Sequence, residues 1–379
     1  SIPRRFPRNI AEEVKMLALT GGPGAGKTTS FSYLSQKLGD AGVTTLCMPE
    51  VATILINSGF DPRRLTGRMD RINFQSHLIE IQLSLQAHYK KIAQDITNDK
   101  KLIISDRTGL DGKAYMSESD WSDLLANKRW SMSFLLDDFN AVLFMETAAK
   151  GSADNYTCAN NLARTENKAE AIASDDRLQA AYVGAEKILI IPSCSNFEDK
   201  LKNLLKKVQK LLGIPVAIET ERKFLVKNPL AQSIIPVHCN DVRIEQYYLI
   251  SPNNNQEFRI RRRTQDGVST YYHAIKKETA SAMSREEKEK RITWTDYENY
   301  LLLRRPEAEP IIKIRTCFIY KAQYFELDTF LNPQRHSGLT LLEIELTEEN
   351  DKVEIPDWLG PIEEVTGNKK YNNSHLAFS

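Results

Sequence analysis

The chain has 379 residues, with Lys+Arg at 51 against Asp+Glu at 50, a formal charge of +1 and a pI near 7.6. That length exceeds the usual single core and predicts two domains, while the near-neutral balance excludes a global field that attracts nucleic acid, so no nucleic-acid partner is expected. No apolar run approaches the roughly 18 residues that span a bilayer, the start Ser1-Ile2-Pro3-Arg4-Arg5 lacks a signal-peptide core, and Cys47, Cys158, Cys194, Cys239 and Cys317 form no C-x-x-C pair; a cytoplasmic protein with reduced thiols is expected.

The apolar run Val14 to Leu19 reads as a strand, and Gly21-Gly22-Pro23-Gly24-Ala25-Gly26-Lys27-Thr28 after it satisfies G-x-x-x-x-G-K-[ST] at every fixed position. Glycines let successive backbone N–H groups turn towards an anion, Lys27 reaches the β and γ phosphates, the Thr28 hydroxyl ligates Mg²⁺, and a helix from Thr29 points its positive end at the charge. Gly21, Gly22, Gly24, Ala25, Gly26, Lys27, Thr28 and Thr29 are therefore the candidate nucleotide-binding residues, and GTP or ATP the expected ligand.

Further strands are predicted at Thr44 to Met48, Lys101 to Ser105, Asn140 to Met145 and Lys187 to Ile191. They are mostly unalternating, as parallel strands buried on both faces should be. Phe74, Leu78, Ile81, Leu85, His88 and Ile92 recur at helical spacing and predict one long amphipathic helix, with His88 at the edge of the core. The pattern is that of a doubly wound parallel α/β domain.

Leu102-Ile103-Ile104-Ser105 delivers Asp106 to the carboxyl edge of the sheet, where an acid holds the water shell of Mg²⁺ opposite Thr28 and Arg107 can hold phosphate. Asp106-Arg107-Thr108-Gly109 also satisfies D-x-x-G, the switch element of G proteins, but Asn167-Lys168-Ala169-Glu170 does not complete N-K-x-D. The surroundings resemble small nucleoside and nucleotide kinases. That resemblance implies that Glu50 takes the proton from an attacking hydroxyl, that Asp106 and Arg107 form the strand-end acid-Arg pair, and that a polar stretch from Ala148 to Asp176, with Lys150, Arg164 and Arg177, is a lid. Glu50, Asp106, Arg107 and Arg164 are the candidate catalytic residues.

Phe197 to Leu212 predicts a helix with Leu201, Leu204, Leu205, Val208, Leu211 and Leu212 on one side and Lys200, Lys202, Lys206, Lys207 and Lys210 on the other. Such a helix either docks on its sheet or lies peripherally on anionic lipid. It stops at Gly213-Ile214-Pro215, where the boundary is placed: 1–213 for the nucleotide-binding domain and 214–379 for the second.

Beyond it, many short alternating strands are predicted, the first reading Ile218-Glu219-Thr220-Glu221-Arg222-Lys223-Phe224. Alternation puts Glu219, Glu221 and Lys223 on one face. Arg259 and Arg261, Lys276, Lys313 and Arg315, Glu326 and Asp328, and Glu343 and Glu345 follow in short alternating runs. Two cations ~5.5 Å apart at an effective dielectric of ~20 repel by about 3 kcal/mol, so a closed barrel lined by them needs an anion or acids inside. The mixed-sign runs Ser284 to Arg291 and Asp296 to Arg305 read as a solvated helix or insertion.

The E-x-E-x-K strand and the charge pairs after it resemble the CYTH superfamily of triphosphate tunnel enzymes, which includes thiamine triphosphatase and class IV adenylate cyclase. The resemblance extends through Trp358-Leu359-Gly360, Val365-Thr366-Gly367 and Tyr371-Asn372-Asn373. It implies an antiparallel β-barrel with helices, a polyanion site at Lys223, Arg259, Arg261, Lys276, Lys313 and Arg315, and Mg²⁺ or Mn²⁺ at Glu219, Glu221, Glu343 and Glu345; the metal site of the first domain, Thr28 and Asp106, follows from its phosphate loop and strand-end acid. The fusion of the two domains resembles the TRPL translocation-defect family of insects and other animals. That family implies guanine-nucleotide binding, acidic phospholipid binding and a role in trafficking a cation channel. The alternative is a bifunctional enzyme, a small-molecule kinase joined to a metal-dependent tripolyphosphatase.

Overall fold

A computed structural model describes residues 14–96, 100–151, 168–214, 219–227, 235–251, 256–278 and 284–378, with side chains throughout except at Glu219, Lys277, Glu278 and 284–288. Arg164, Cys158 and most of the expected lid lie outside the described residues. Two units are recognised, residues 1–181 with 187–205, and residues 182–186 with 206–379.

The first unit runs β1 (Lys15–Thr20), α1 (Lys27–Asp40), β2 (Val43–Met48), α2 (Val51–Asn57), α3 (Arg68–Asp95), β3 (Lys100–Asp106), α4 (Glu118–Lys128), α5 (Met132–Leu136), β4 (Ala141–Met145), α6 (Ala148–Gly151), α7 (Lys168–Ala181), β5 (Ile188–Ile191) and the start of α8 (Phe197–Leu212). Its five strands are all parallel in the order β2-β3-β1-β4-β5. β1, β3 and β4 are buried on both faces, which is why their sequences are continuous apolar runs.

The long helix is present as α3, but its buried face is not the predicted one. Ile72, Ser76, Ile79, Gln82, Gln86 and Ala93 are buried, whereas Ile81 and Ile92 are exposed, Ile92 at 52%. The reason is hydrogen bonding: Gln82 Nε2 donates to Ser105 Oγ at 2.8 Å and to the Arg107 carbonyl at 3.2 Å. A polar stripe thus faces the sheet, and His88 is exposed with Nδ1 2.8 Å from the Ser84 carbonyl.

The second unit contains β6 (Glu219–Val226), β7 (Cys239–Tyr248), β8 (Glu257–Gln265), β9 (Val268–Glu278), β10 (Ser284–Ile292), α9 (Trp294–Leu301), β11 (Ile311–Tyr320), β12 (Gln323–Asn332), β13 (Thr340–Leu346), β14 (Ile362–Glu364) and α10 (Asn373–Phe378). The described strands form an antiparallel ring, β6-β13-β12-β11-β7-β8-β9-β10, closed by pairing of β10 with β6. The run Ser284 to Arg291 is therefore a barrel strand rather than a helix or insertion: it pairs along β9, and Arg285 pairs in register with Glu219. The following run contributes α9, opened by a Thr293–Asp296 capping box.

Candidate functional site: a phosphate loop and a charged barrel interior

The phosphate loop connects β1 to α1, with Gly21, Gly24 and Gly26 at φ of 145°, 75° and 88°. A Cβ on Gly26 would lie 2.4 Å from the Phe197 ring, so that ring and the left-handed backbone both require glycine there. Lys27 folds back, its Nζ donating to the Gly21 carbonyl at 3.2 Å. Burial, helped by Arg107, brings the Lys27 ammonium down to about 8. Thr28 and Thr29 stand exposed at the start of α1.

Asp106 ends β3, and burial pushes its carboxyl up to about 6. Its Oδ1 is buried with no hydrogen-bond partner among the described residues. An orphaned carboxylate oxygen at the carboxyl edge of the sheet, with the exposed Thr28 hydroxyl at the first turn of α1, is the donor set a hard divalent cation such as Mg²⁺ takes. Arg107, at φ 73°, lies with Nε 2.6 Å from Glu50 Oε1 and NH1 3.3 Å from Asp111 Oδ1. Burial opposes ionisation of Glu50, yet Arg107, the Thr53 hydroxyl and Lys27 hold it below the usual carboxylate range. Glu50, Lys27, Asp106 and Arg107 are thus mutually coupled, and Glu50 is a carboxylate able to accept a proton.

Three residues that the sequence reading missed hold this arrangement. Asp175 of α7 accepts from the Gly22 N–H at 2.9 Å and the Thr147 N–H at 3.1 Å. Lys200, 3% exposed, donates to the Ala25 carbonyl at 2.9 Å and the Glu146 carbonyl at 2.5 Å. Asp111 accepts from Thr20 Oγ1 at 2.5 Å and the Thr108 N–H at 2.8 Å. Only Asp111 had a local signal, its capping box with Thr108. Lys150 does not stand free in a lid: its Nζ is 2.9 Å from Asp175 and 2.7 Å from Asp176.

In the barrel, register sets Lys223 opposite Glu343, Glu221 opposite Glu345, Glu326 opposite Glu343, Arg315 opposite Asp328, Arg261 opposite Tyr272 and Lys276 opposite Glu257. Alternation therefore gathers the expected bases and most of the expected acids on one face of a closed ring. They neutralise one another. Lys223 Nζ is 2.8 Å from Glu343 and 3.8 Å from Glu221; Arg315 forms a fork with Asp328, at 2.8 Å for both contacts, and reaches Glu343 at 3.0 Å. Lys313 also bonds Asp328, which is 0% exposed. Arg259 NH1 lies 3.7 Å from Glu257.

Burial disfavours the charge on Glu343, but Lys223, Lys313 and Arg315 hold it well below the carboxylate range. Burial raises Glu326 and lowers Lys313. Among the described residues no group of three or more His, Cys, Asp or Glu side chains is arranged to hold a metal. The Glu219 side chain lies outside the described residues, and Glu345 is exposed.

The AAA domain family model matches residues 16–200. The inorganic triphosphatase of Acetivibrio thermocellus is 32% identical over 159 residues, which is 42% of this chain and 92% of that protein. The chain belongs to the inorganic triphosphatase family. A solved inorganic triphosphatase is 30% identical over 42% of this chain and 95% of its own, with a TM-score of 0.29. A solved protein of Pyrococcus horikoshii is 18% identical over 37% of this chain and 81% of its own, with a TM-score of 0.27. This family member therefore joins a P-loop domain to a triphosphatase-like region.

The helix α8 is docked within the protein. Leu201, Leu204 and Val208 are buried, Lys206 pairs with Glu348 at 2.8 Å, Lys207 donates to Thr347 Oγ1 at 2.7 Å and Lys210 donates to the Leu346 carbonyl. Lys206, Lys207 and Lys210 of the predicted cationic face thus have partners within the protein. Among the described residues no helix is long and apolar enough to cross a membrane.

Proposed function

We propose that this chain is a cytoplasmic regulatory protein with two polyanion sites, a purine nucleoside triphosphate with Mg²⁺ on the phosphate loop and a linear triphosphate or phosphorylated head group in the barrel. The observation that supports it most is the buried Asp106 Oδ1, without a hydrogen bond among the described residues, beside a phosphate loop whose lysine donates to a backbone carbonyl. GTP preference, acidic phospholipid as the barrel's ligand and a trafficking role for a membrane channel are the finer reading, supported by the domain order. Thr28 and Asp106 would hold Mg²⁺, which supplies charge neutralisation between the phosphates. Lys27 then offers its ammonium to the β and γ oxygens, and the Gly24 amide helps orient the chain of phosphates, the Gly22 amide being held by Asp175.

A second reading, an enzyme, is favoured by one observation: Glu50 is held ionised beside Lys27 and Arg107. Here Glu50 accepts the proton of an acceptor hydroxyl while Arg107 and Lys27 stabilise charge on the transferring phosphoryl group. The relative's designation as an inorganic triphosphatase supports hydrolysis in the barrel. Incubating the chain with a nucleotide mixture, tripolyphosphate and Mg²⁺, then identifying by mass spectrometry what is retained and what is converted, tests both. Retention without conversion supports the regulatory reading, conversion the enzyme, and retention of neither ligand overturns both.

A further inference from the structure

Residues Tyr182–Glu186 follow α7 in the chain yet belong to the barrel unit. Val183, 2% exposed, packs against Val242, Ile244 and Cys317, with Tyr324 beside them. The segment is held by its backbone. Asn240 Nδ2 donates to the Val183 carbonyl at 2.5 Å, the Tyr324 hydroxyl accepts from the Gly184 N–H at 3.1 Å and donates to the Ala185 carbonyl at 3.0 Å, and Arg263 donates to the Gly184 carbonyl. Gly184 has φ +93°, and a Cβ there would lie 2.5 Å from Gln265 Nε2. This is a fitted plug. At the far end of the same strands, Leu376 and Ala377 of α10 pack with Tyr248, Phe330 and Leu341.

Glu186 carries charge from this plug to the bases. Its Oε1 lies 2.7 Å from Arg261 NH2, which Glu289 also holds at 2.9 Å. The Arg261 guanidinium stacks over Tyr272 at 5.2 Å, and the Tyr272 phenol hydrogen-bonds to Glu186. A carboxylate so placed uses the same donors that a terminal phosphate oxygen would use.

From this geometry we infer that Glu186 is a specificity-determining residue: it occupies Arg261 and Tyr272, ends the anion track at that point, and limits the barrel to short linear polyphosphates held by Lys223, Lys313 and Arg315. The inference rests on the reading of the barrel as a polyphosphate site. Removing the charge while keeping the shape should extend the track by one phosphoryl group.

The test is calorimetric binding of pyrophosphate, tripolyphosphate and tetrapolyphosphate to the full chain and to its Glu186→Gln and Glu186→Asp variants. The unaltered chain should bind tripolyphosphate more tightly than pyrophosphate and gain nothing from a fourth phosphoryl group. Glu186→Gln should bind tetrapolyphosphate about tenfold more tightly than the unaltered chain, with pyrophosphate unchanged, and Glu186→Asp should retain the original profile. If Glu186→Gln fails to fold, Tyr272→Phe, which loosens Glu186 without touching its charge, should give a smaller gain in the same direction. Equal tetrapolyphosphate affinity in the folded variant and the unaltered chain overturns the inference while tripolyphosphate binding leaves the barrel reading standing. Failure of the unaltered chain to bind any of the three overturns both.

Discussion

The Asp175 carboxylate lies 2.9 Å from the Gly22 amide nitrogen, so a buried acid on α7 fixes the first turn of a loop 153 positions earlier in the chain. Asp175 also anchors the Thr147 N–H and the Lys150 ammonium. Asp175→Ala would leave two buried donors and a cation without it, at a cost of about 3–5 kcal/mol. Thermal unfolding should show this loss with weaker nucleotide binding, and Asp175→Asn, which keeps one acceptor, should recover part of both. A fully stable Asp175→Ala chain would contradict this role.

Lys27→Ala should abolish triphosphate binding and leave the fold intact, because among the described residues the side chain makes one hydrogen bond, to the Gly21 carbonyl. Fluorescent-nucleotide titration alongside circular dichroism measures both. Unchanged affinity in the folded variant would remove Lys27 from the site.

Glu50→Gln should spare nucleotide affinity and remove turnover if the chain transfers phosphate, since a base acts in the transition state. It also removes one of the two carboxylates facing Arg107, leaving Asp111, so stability is expected to fall by about 1–3 kcal/mol. Turnover equal to that of the unaltered chain would make Glu50 a structural partner of Arg107 alone.

The Asp106 value of about 6 lies above its ordinary 3.8. Between those values the folded chain holds a proton that the unfolded chain has lost, so this group's contribution to stability falls as pH rises through the window. Mg²⁺ competes with that proton, and Mg²⁺-dependent nucleotide affinity should fall about tenfold per pH unit below 6. Asp106→Asn should lose that portion of the slope; an identical slope in the variant would show that the nucleotide's own phosphate titration accounts for it.

Tripolyphosphate should raise the melting temperature of the full chain by mass action, about 2.7 kcal/mol at a hundred times Kd. Arg259→Ala should reduce the shift, whereas Arg261→Ala, whose guanidinium Glu186 occupies, should leave most of it. Arg315→Ala, by contrast, exposes Asp328 and Glu343 without their partner and should lower stability by about 3–5 kcal/mol before any ligand is added. A shift untouched by Arg259→Ala would place the anion elsewhere.

The phosphate loop, the parallel strands and the E-x-E-x-K strand were legible because each is a local pattern: fixed glycines, unbroken apolar runs, charges at period two. The buried face of α3 was not, since Gln82 is chosen by a hydroxyl on β3 and a carbonyl beyond it, and hydropathy spacing favours the leucines and isoleucines instead. Asp175 and Lys200 were likewise invisible, being specified by distant backbone groups. Ser284 to Arg291 was misread because charge suggested solvent, whereas Glu289 turns towards Arg261.

β6 shares one edge between two strands: β14 takes Phe224 to Val226, and among the described residues β10 takes Glu219 and Thr220 to close the ring. The neighbouring β10–β9 ladder runs from Arg285↔Glu278 to Ile292↔Tyr271. A ring is as durable as its shortest ladder, and local opening begins where the fewest backbone bonds must break together. Among the described residues the β10–β6 seam is the shortest ladder of the ring, so amide protons there are expected to exchange fastest, and its parting would turn the barrel briefly into an open, curved sheet.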